Sequence, residues 1–151
     1  MLTNTRKEDL FMSKIAVVYW SGTGNTEAMA KAVAEGITAN NAEATLFEAN
    51  KFDSSMVAEY DAIAFGCPSM GAEELEDGEF LPMFEACKPE LNNKKIALFG
   101  SYGWGDGEWM RNWEEDCKSI GAVLACDSVI CNDAPDAEAE EACKALGVAL
   151  V

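Results

Sequence analysis

From Lys14 onward, short apolar runs alternate with amphipathic segments, and this alternation is the strongest constraint on what the chain can fold into. Ile15 to Trp20 and Ala62 to Cys67 are apolar on both faces, as strands in the middle of a parallel sheet must be. Lys95 to Phe99 reads the same way and is closed by Gly100 and Ser101. Ala44 to Ala49 is a weaker strand, and Val123 to Ile130 is a fifth strand region with a bend near Asp127. Between these runs, Thr26 to Asn40 places Met29, Ala32, Val33, Gly36 and Ile37 on one helical face. Gly78 to Cys87, Gly107 to Ile120 and Asp136 to Leu146 also read as helices, and Ser54 to Tyr60 as a short helix or turn. In Gly107 to Ile120, Trp109, Trp113, Cys117 and Ile120 form one apolar stripe, with Gly121 as C-cap. Strands interleaved with helices in this way predict an α/β fold: a five-stranded parallel sheet with helices on both faces.

A chain of 151 residues makes one domain. Met1 to Phe11 is polar and lacks the apolar stretch of a signal sequence, while Met12-Ser13-Lys14 looks like a natural start. The expected organisation is therefore an N-terminal extension over 1–11, a tag or alternative start, and one domain over 12–151. The net charge of −16 excludes the basic footprint of a nucleic-acid binder and a polybasic membrane anchor. No apolar run approaches the ~18 residues of a membrane span. A protein partner met by long-range steering should present a basic face. The chain has no histidine, which removes the commonest general base and metal ligand and every Ser-His or Cys-His pair. Its six cysteines include no C-x-x-C pair, so the usual zinc and iron–sulfur spacings are missing. They read as small buried apolar residues in a reducing cytoplasm. A monomer is expected at this size and charge.

In an open parallel sheet, ligands bind beyond the carboxyl ends of the strands, where strand order switches. That directs attention to Ser21–Thr26, Pro68–Asp77, Ser101–Asp106 and Cys131–Asp136. The first segment, Ser21-Gly22-Thr23-Gly24-Asn25-Thr26, sets three hydroxyls, two glycines and an amide at a strand-to-helix turn. Glycines let successive N–H groups converge, and the helix N-terminus adds orphan N–H groups, which together suit a phosphate monoester. A nucleoside-triphosphate loop would need a lysine before its last Ser or Thr. A dinucleotide fingerprint would need a third glycine where Glu27 stands. No Lys or Arg occurs between Lys14 and Lys31, so neutral donors alone would hold the phosphate.

The second segment begins Pro68-Ser69-Met70-Gly71-Ala72-Glu73. Met70 is polarizable and can lie on an aromatic ring, Gly71 allows positive φ at the third position of a type II turn, and Glu73 can accept from a ring N–H. The acids from Glu74 to Asp77 read more plainly as a solvated helix start. In the third segment, Ser101-Tyr102-Gly103-Trp104-Gly105-Asp106-Gly107, glycines flank Trp104 and build no packed wall around it, so it reads as an exposed stacking platform. Trp109 and Trp113, by contrast, read as core.

The runs Tyr19-Trp20-Ser21-Gly22-Thr23-Gly24-Asn25-Thr26, Met70-Gly71 and Gly100-Ser101-Tyr102-Gly103-Trp104-Gly105-Asp106-Gly107 resemble the short-chain flavodoxins of anaerobic bacteria, over about residues 13–150. The resemblance implies a flavodoxin-like three-layer sandwich with strand order 2-1-3-4-5 and one non-covalent FMN. It implies that Ser21, Gly22, Thr23, Gly24, Asn25 and Thr26 cradle the phosphate, with Ser69 substituting for donors that Pro68 removes. Met70 and Trp104 would sandwich the isoalloxazine, with Ser101, Tyr102, Gly103 and Gly105 around Trp104, and Glu73 would accept from N3–H. The Gly71 carbonyl would turn toward N5–H on one-electron reduction, and Ala72 offers only its backbone N–H there. Asn132 falls where the family has a further loop near the cofactor.

This reading makes the chain a low-potential one-electron carrier, shuttling between semiquinone and hydroquinone without substrate turnover of its own. One uncompensated charge at ~10 Å and an effective dielectric of ~20 opposes a further negative charge by about 1.7 kcal/mol. For a one-electron couple that is roughly 70 mV. Implied partners are redox proteins with basic docking faces, such as ferredoxin-using oxidoreductases. An FMN-dependent NAD(P)H:quinone reductase is the alternative, but the chain has no insertion for a second substrate and no cationic site for a pyridine-nucleotide phosphate. A non-redox receiver or interaction module on the same architecture would be colourless.

Overall fold

The structure is a computed structural model that describes residues 12–151; the expected extension at 1–11 lies outside the described residues. Strands β1 (Lys14–Tyr19), β2 (Glu43–Glu48), β3 (Ala62–Gly66), β4 (Lys95–Tyr102), β5 (Val123–Leu124) and β6 (Val129–Asn132) pair in parallel. Their order is β2-β1-β3-β4-β5, as the resemblance implies, and the parallel pairing is that read from the sequence; β6, also on β4, is a sixth strand where five were expected. Helices α1 (Asn25–Thr38), α2 (Phe80–Cys87), α3 (Glu108–Ser119) and α4 (Ala137–Leu150) cover the two faces.

Strict alternation along the central strands explains the two layers. Ala16 and Val18 of β1, Ile63 and Phe65 of β3, and Ile96 and Leu98 of β4 point into one core, with Phe80 and Phe84 of α2 and Trp109 and Trp113 of α3. Ile15 and Val17, Ala62 and Ala64, and Ala97 point into the other, with Met29, Val33 and Ile37 of α1 and Leu146 and Leu150 of α4. Ala62, Ala64 and Ala97 make the middle of this second face small, whereas rings from β3, α2 and α3 fill the space over the first. Phe65 and Phe84 meet edge to face at 5.1 Å, and Trp113 meets Phe80 and Phe84 in the same way.

Several element boundaries differ from the sequence reading, among them the end of α4, which runs to Leu150 rather than stopping at Leu146. The fifth strand region is broken between β5 and β6, around the expected bend at Asp127. Strand β4 does not stop at Phe99. It runs through Gly100 and Ser101 to Tyr102, because β6 pairs Phe99–Tyr102 with Val129–Asn132. Helix α2 begins at Phe80 rather than Gly78, after a turn. All six cysteines are free; Cys67, Cys87, Cys117 and Cys143 are buried, and Cys126 and Cys131 are half-buried beside the strand break. Burial pushes the Cys87 thiol up to about 11 and the Cys117 and Cys143 thiols up to about 12, so they stay protonated and inert.

Candidate functional site

A cleft of about 220 Å³ opens at the carboxyl end of the sheet. Ser21, Gly22, Thr23, Asn25 and Thr26 line it from the β1–α1 turn, Ser69 and Met70 from the loop after β3, and Ser101, Tyr102 and Gly103 from the end of β4. Thr26, 1% exposed, and Ser101, 4% exposed, are the two buried polar residues among those described, and both face this cleft. A fold that buries hydroxyls does so where they have partners.

The partners show what these hydroxyls still have to offer. Ser21 Oγ accepts the N–H groups of Gly24, at 3.1 Å, and Glu27, at 3.2 Å, and so caps α1 from outside the helix. Thr26 Oγ1 accepts the Ser101 N–H at 3.4 Å, joining the first loop to β4. In both cases the oxygen is the acceptor, so the hydroxyl hydrogen remains to be donated. Gly24, in the left-handed region at φ 97°, precedes α1 and turns the chain into it.

The loop after β3 is a closed structure. Met70 and Glu74 exchange backbone hydrogen bonds of 2.8 Å each way, leaving Gly71, Ala72 and Glu73 as a three-residue turn. Gly71 has φ 51° and Glu73 φ 57°. The positive φ expected at Gly71 is present, within this closed hairpin. The Glu73 carboxylate packs against Gly105, where a Cβ would collide with it, and its Oε1 is buried with no hydrogen-bond partner among the described residues. Trp104 is 62% exposed on the neighbouring loop, while Trp109 is 2% exposed and donates its indole N–H to the Cys67 carbonyl at 3.1 Å. Arg111 donates to both the carbonyl and the carboxylate of Asp106 at 3.0 Å, which ties the Trp104 loop to α3.

Gly24, Gly71, Ala72, Glu73, Trp104, Gly105 and Asn132 do not line the cleft itself. Asn132 spends its amide on the Tyr102 carbonyl at 3.2 Å. Its neighbour Asp133 lines the cleft instead, left-handed at φ 57°, and its carbonyl accepts the Ser101 hydroxyl at 2.6 Å. Trp20, Pro68 and Asp133 also line the cleft; the sequence reading placed Pro68 and Asp133 in the segments it singled out but named none of the three as cofactor-binding. Trp20 closes a strand and Pro68 follows one, and both positions were visible signals.

Glu76 fixes the far end of the second loop. Its carboxylate accepts the N–H groups of Gly78, Glu79 and Phe80 at 2.8 Å each, and its own N–H goes to Cys67 Sγ at 3.3 Å. Partial burial by itself raises the Glu76 pKa, but the three N–H groups together outweigh it and hold the carboxyl below its ordinary 4.5. The stability this carboxylate contributes is therefore fully present above pH 4.5 and is lost as pH falls through the folded-state value. Glu76→Gln is expected to cost about 1 kcal/mol at neutral pH, the scale of a lost helix cap. Denaturant unfolding at neutral and acid pH checks this; a difference that persists undiminished in acid would contradict it.

Comparison with known proteins agrees with this architecture. The family model described as Flavodoxin matches residues 17–146. The flavodoxin of Megasphaera elsdenii is 46% identical over 89% of this chain and 96% of its own length. That of Clostridium beijerinckii is 42% identical over 87% of this chain and 94% of its own. The solution structure of the two-electron reduced Megasphaera elsdenii flavodoxin has a TM-score of 0.84 at 44% identity, covering 90% of this chain and 97% of that one. An archaeal flavodoxin structure has a TM-score of 0.79 at 28% identity, over 91% of this chain and 95% of its own. With the sheet order, the loop sequences and the matches over most of its length in agreement, the chain belongs to the flavodoxin family of FMN-binding electron carriers.

Proposed function

We propose that this chain carries single electrons at low potential, with one FMN held by the loops after β1, β3 and β4. The observation that carries this assignment is the cleft itself, which gathers the neutral donors of the β1–α1 turn, Met70 and the end of β4 around one space. Among the described residues its lining contains no lysine or arginine, and Asp133 is its one charged member. Such a donor set suits a phosphate whose charge stays uncompensated. The buried, unpartnered Glu73 Oε1 supports the fit at the other end of the group, because an acceptor left without a donor costs about 1–3 kcal/mol unless a ligand supplies one.

When bound, FMN supplies the one-electron chemistry. Ser21, Thr23, Asn25 and Thr26 bind the phosphate with hydroxyl and amide donors, alongside the backbone of Gly22 and Gly24 and the N-terminus of α1. Ser69 adds a hydroxyl from the facing loop. Met70 and Trp104 orient the ring, and Ser101, Tyr102, Gly103 and Gly105 shape its surround. Glu73 would supply an acceptor for a ring N–H, and the Gly71 carbonyl and the Ala72 backbone N–H would offer an acceptor and a donor to the flavin edge. Asn132 holds the edge through Tyr102.

An electron carrier works with redox protein partners, and here they present basic docking faces. Supporting this, Glu73, Glu74, Glu76, Asp77 and Glu79 crowd the loop after β3, while Lys14 and Lys95 begin β1 and β4 at the opposite end of the sheet. The carrier acts as a monomer in the cytoplasm, where a reducing environment suits six free cysteines.

Thr26→Ala and Thr23→Ala should weaken FMN binding by about 1.5–3 kcal/mol each, the scale of a hydrogen bond to a charged acceptor. Riboflavin, which lacks the phosphate, should bind almost as before. Titration of the full chain with both flavins checks this, and equal losses for the two would place the phosphate elsewhere.

A further inference from the structure

We propose that Glu79 and Trp20 form a latch that positions the Ser21–Thr26 loop, a role resting on the phosphate assignment above. Trp20 follows β1 directly, and its backbone N–H continues the ladder to the Gly66 carbonyl at 3.0 Å. Its half-buried ring packs on the α2–α3 core and lines the cleft. The far edge of that ring lies against the loop backbone: a Cβ at Gly22 would sit 3.0 and 3.2 Å from two of its carbons. The ring is thus the surface on which the loop rests, and Gly22 is the residue that lets it rest there.

What fixes the ring is its indole N–H, donated to Glu79 Oε1 at 3.0 Å across 59 residues of sequence. Glu79 is itself held, since its backbone N–H goes to the Glu76 carboxylate at 2.8 Å, just before α2. The chain of contacts runs from Glu76 to Glu79, from Glu79 to the Trp20 indole, and from the Trp20 ring to Gly22. On charge alone a carboxylate near an anion site is unfavourable. A hydrogen-bond acceptor for the indole gives Glu79 a use there, and this separates the positioning role from an electrostatic one: the two predict opposite signs when Glu79 is removed.

The test loads the full chain with FMN or with riboflavin, dilutes it, and follows the fluorescence regained as flavin leaves. Glu79→Ala should weaken FMN by about 3- to 10-fold, the worth of one hydrogen bond, and leave riboflavin nearly unchanged; Trp20→Phe, which also alters the cleft wall, should weaken FMN at least as much. Glu79→Gln keeps an acceptor without the charge and should hold FMN at least as tightly as the parent does. Glu79→Ala binding FMN as tightly as the parent, or more tightly, would overturn the latch, as would parallel losses of FMN and riboflavin. A parent protein that holds both flavins equally would instead remove the phosphate assignment beneath it.

Discussion

Trp109→Ala is expected to lower the free energy of unfolding by about 3–5 kcal/mol, the cost of deleting a buried aromatic side chain. Trp109 sits beside Tyr102, with ring centroids 5.6 Å apart, and its indole N–H satisfies the Cys67 carbonyl at the end of β3. Truncation therefore opens a cavity and strips a buried carbonyl of its donor. Trp104, five residues earlier and largely exposed, should behave in the opposite manner. Trp104→Ala should change stability by no more than about 0.5 kcal/mol, as for a surface residue. Its effect should fall on the flavin, which loses a stacking partner and either regains fluorescence or dissociates. Denaturant unfolding and flavin fluorescence on both variants decide the matter; exchanged phenotypes would mean that the ring lies against the wrong tryptophan.

The second large effect concerns Gly71. Its φ of 51° lies in the left-handed region, and beyond its chain neighbours no atom stands within 4 Å of where a Cβ would be. A side chain there has room, so what it opposes is backbone conformation alone. The reciprocal bonds between Met70 and Glu74 hold the turn ends, which leaves the Gly71–Ala72 peptide as the part free to reorient. A β-branched residue held in such a region costs about 1–3 kcal/mol. If the Gly71 carbonyl must turn to meet N5–H in the one-electron-reduced form, Gly71→Thr should lower the first one-electron potential by roughly 40–130 mV. Affinity for oxidised FMN should change much less, because oxidised N5 has no hydrogen to donate. An unchanged first potential, measured by anaerobic titration, would show that this peptide does not stabilise the one-electron-reduced form.

The fold was legible because its strands are apolar runs too short for helices, and because the helices show a stripe at the right spacing. The separation of Trp104 from Trp109 and Trp113 was legible for the same reason: glycines build no wall, whereas spacings of four build one. The boundaries that moved are those where tertiary pairing overrides local preference. Gly100-Ser101 has the chemistry of a turn, yet β6 holds it as strand, which leaves a shorter loop to carry Trp104. Asp133, left-handed and accepting the Ser101 hydroxyl at its carbonyl, lines the cleft, while the Asn132 side chain donates to the Tyr102 carbonyl. The contact between Trp20 and Glu79 was not legible at all, because nothing local in either segment announces a hydrogen bond between a strand end and a distant helix start.

The central claim is that one FMN bound at the carboxyl end of this sheet works one electron at a time, in an acidic surround that resists the second negative charge. Anaerobic reductive titration of the purified, flavin-loaded protein tests it most directly. The account predicts two separate one-electron steps, the second well below the potential of free FMN, with no reduction by NADH alone on the same timescale. A single two-electron step, or rapid reduction by NADH, would contradict it.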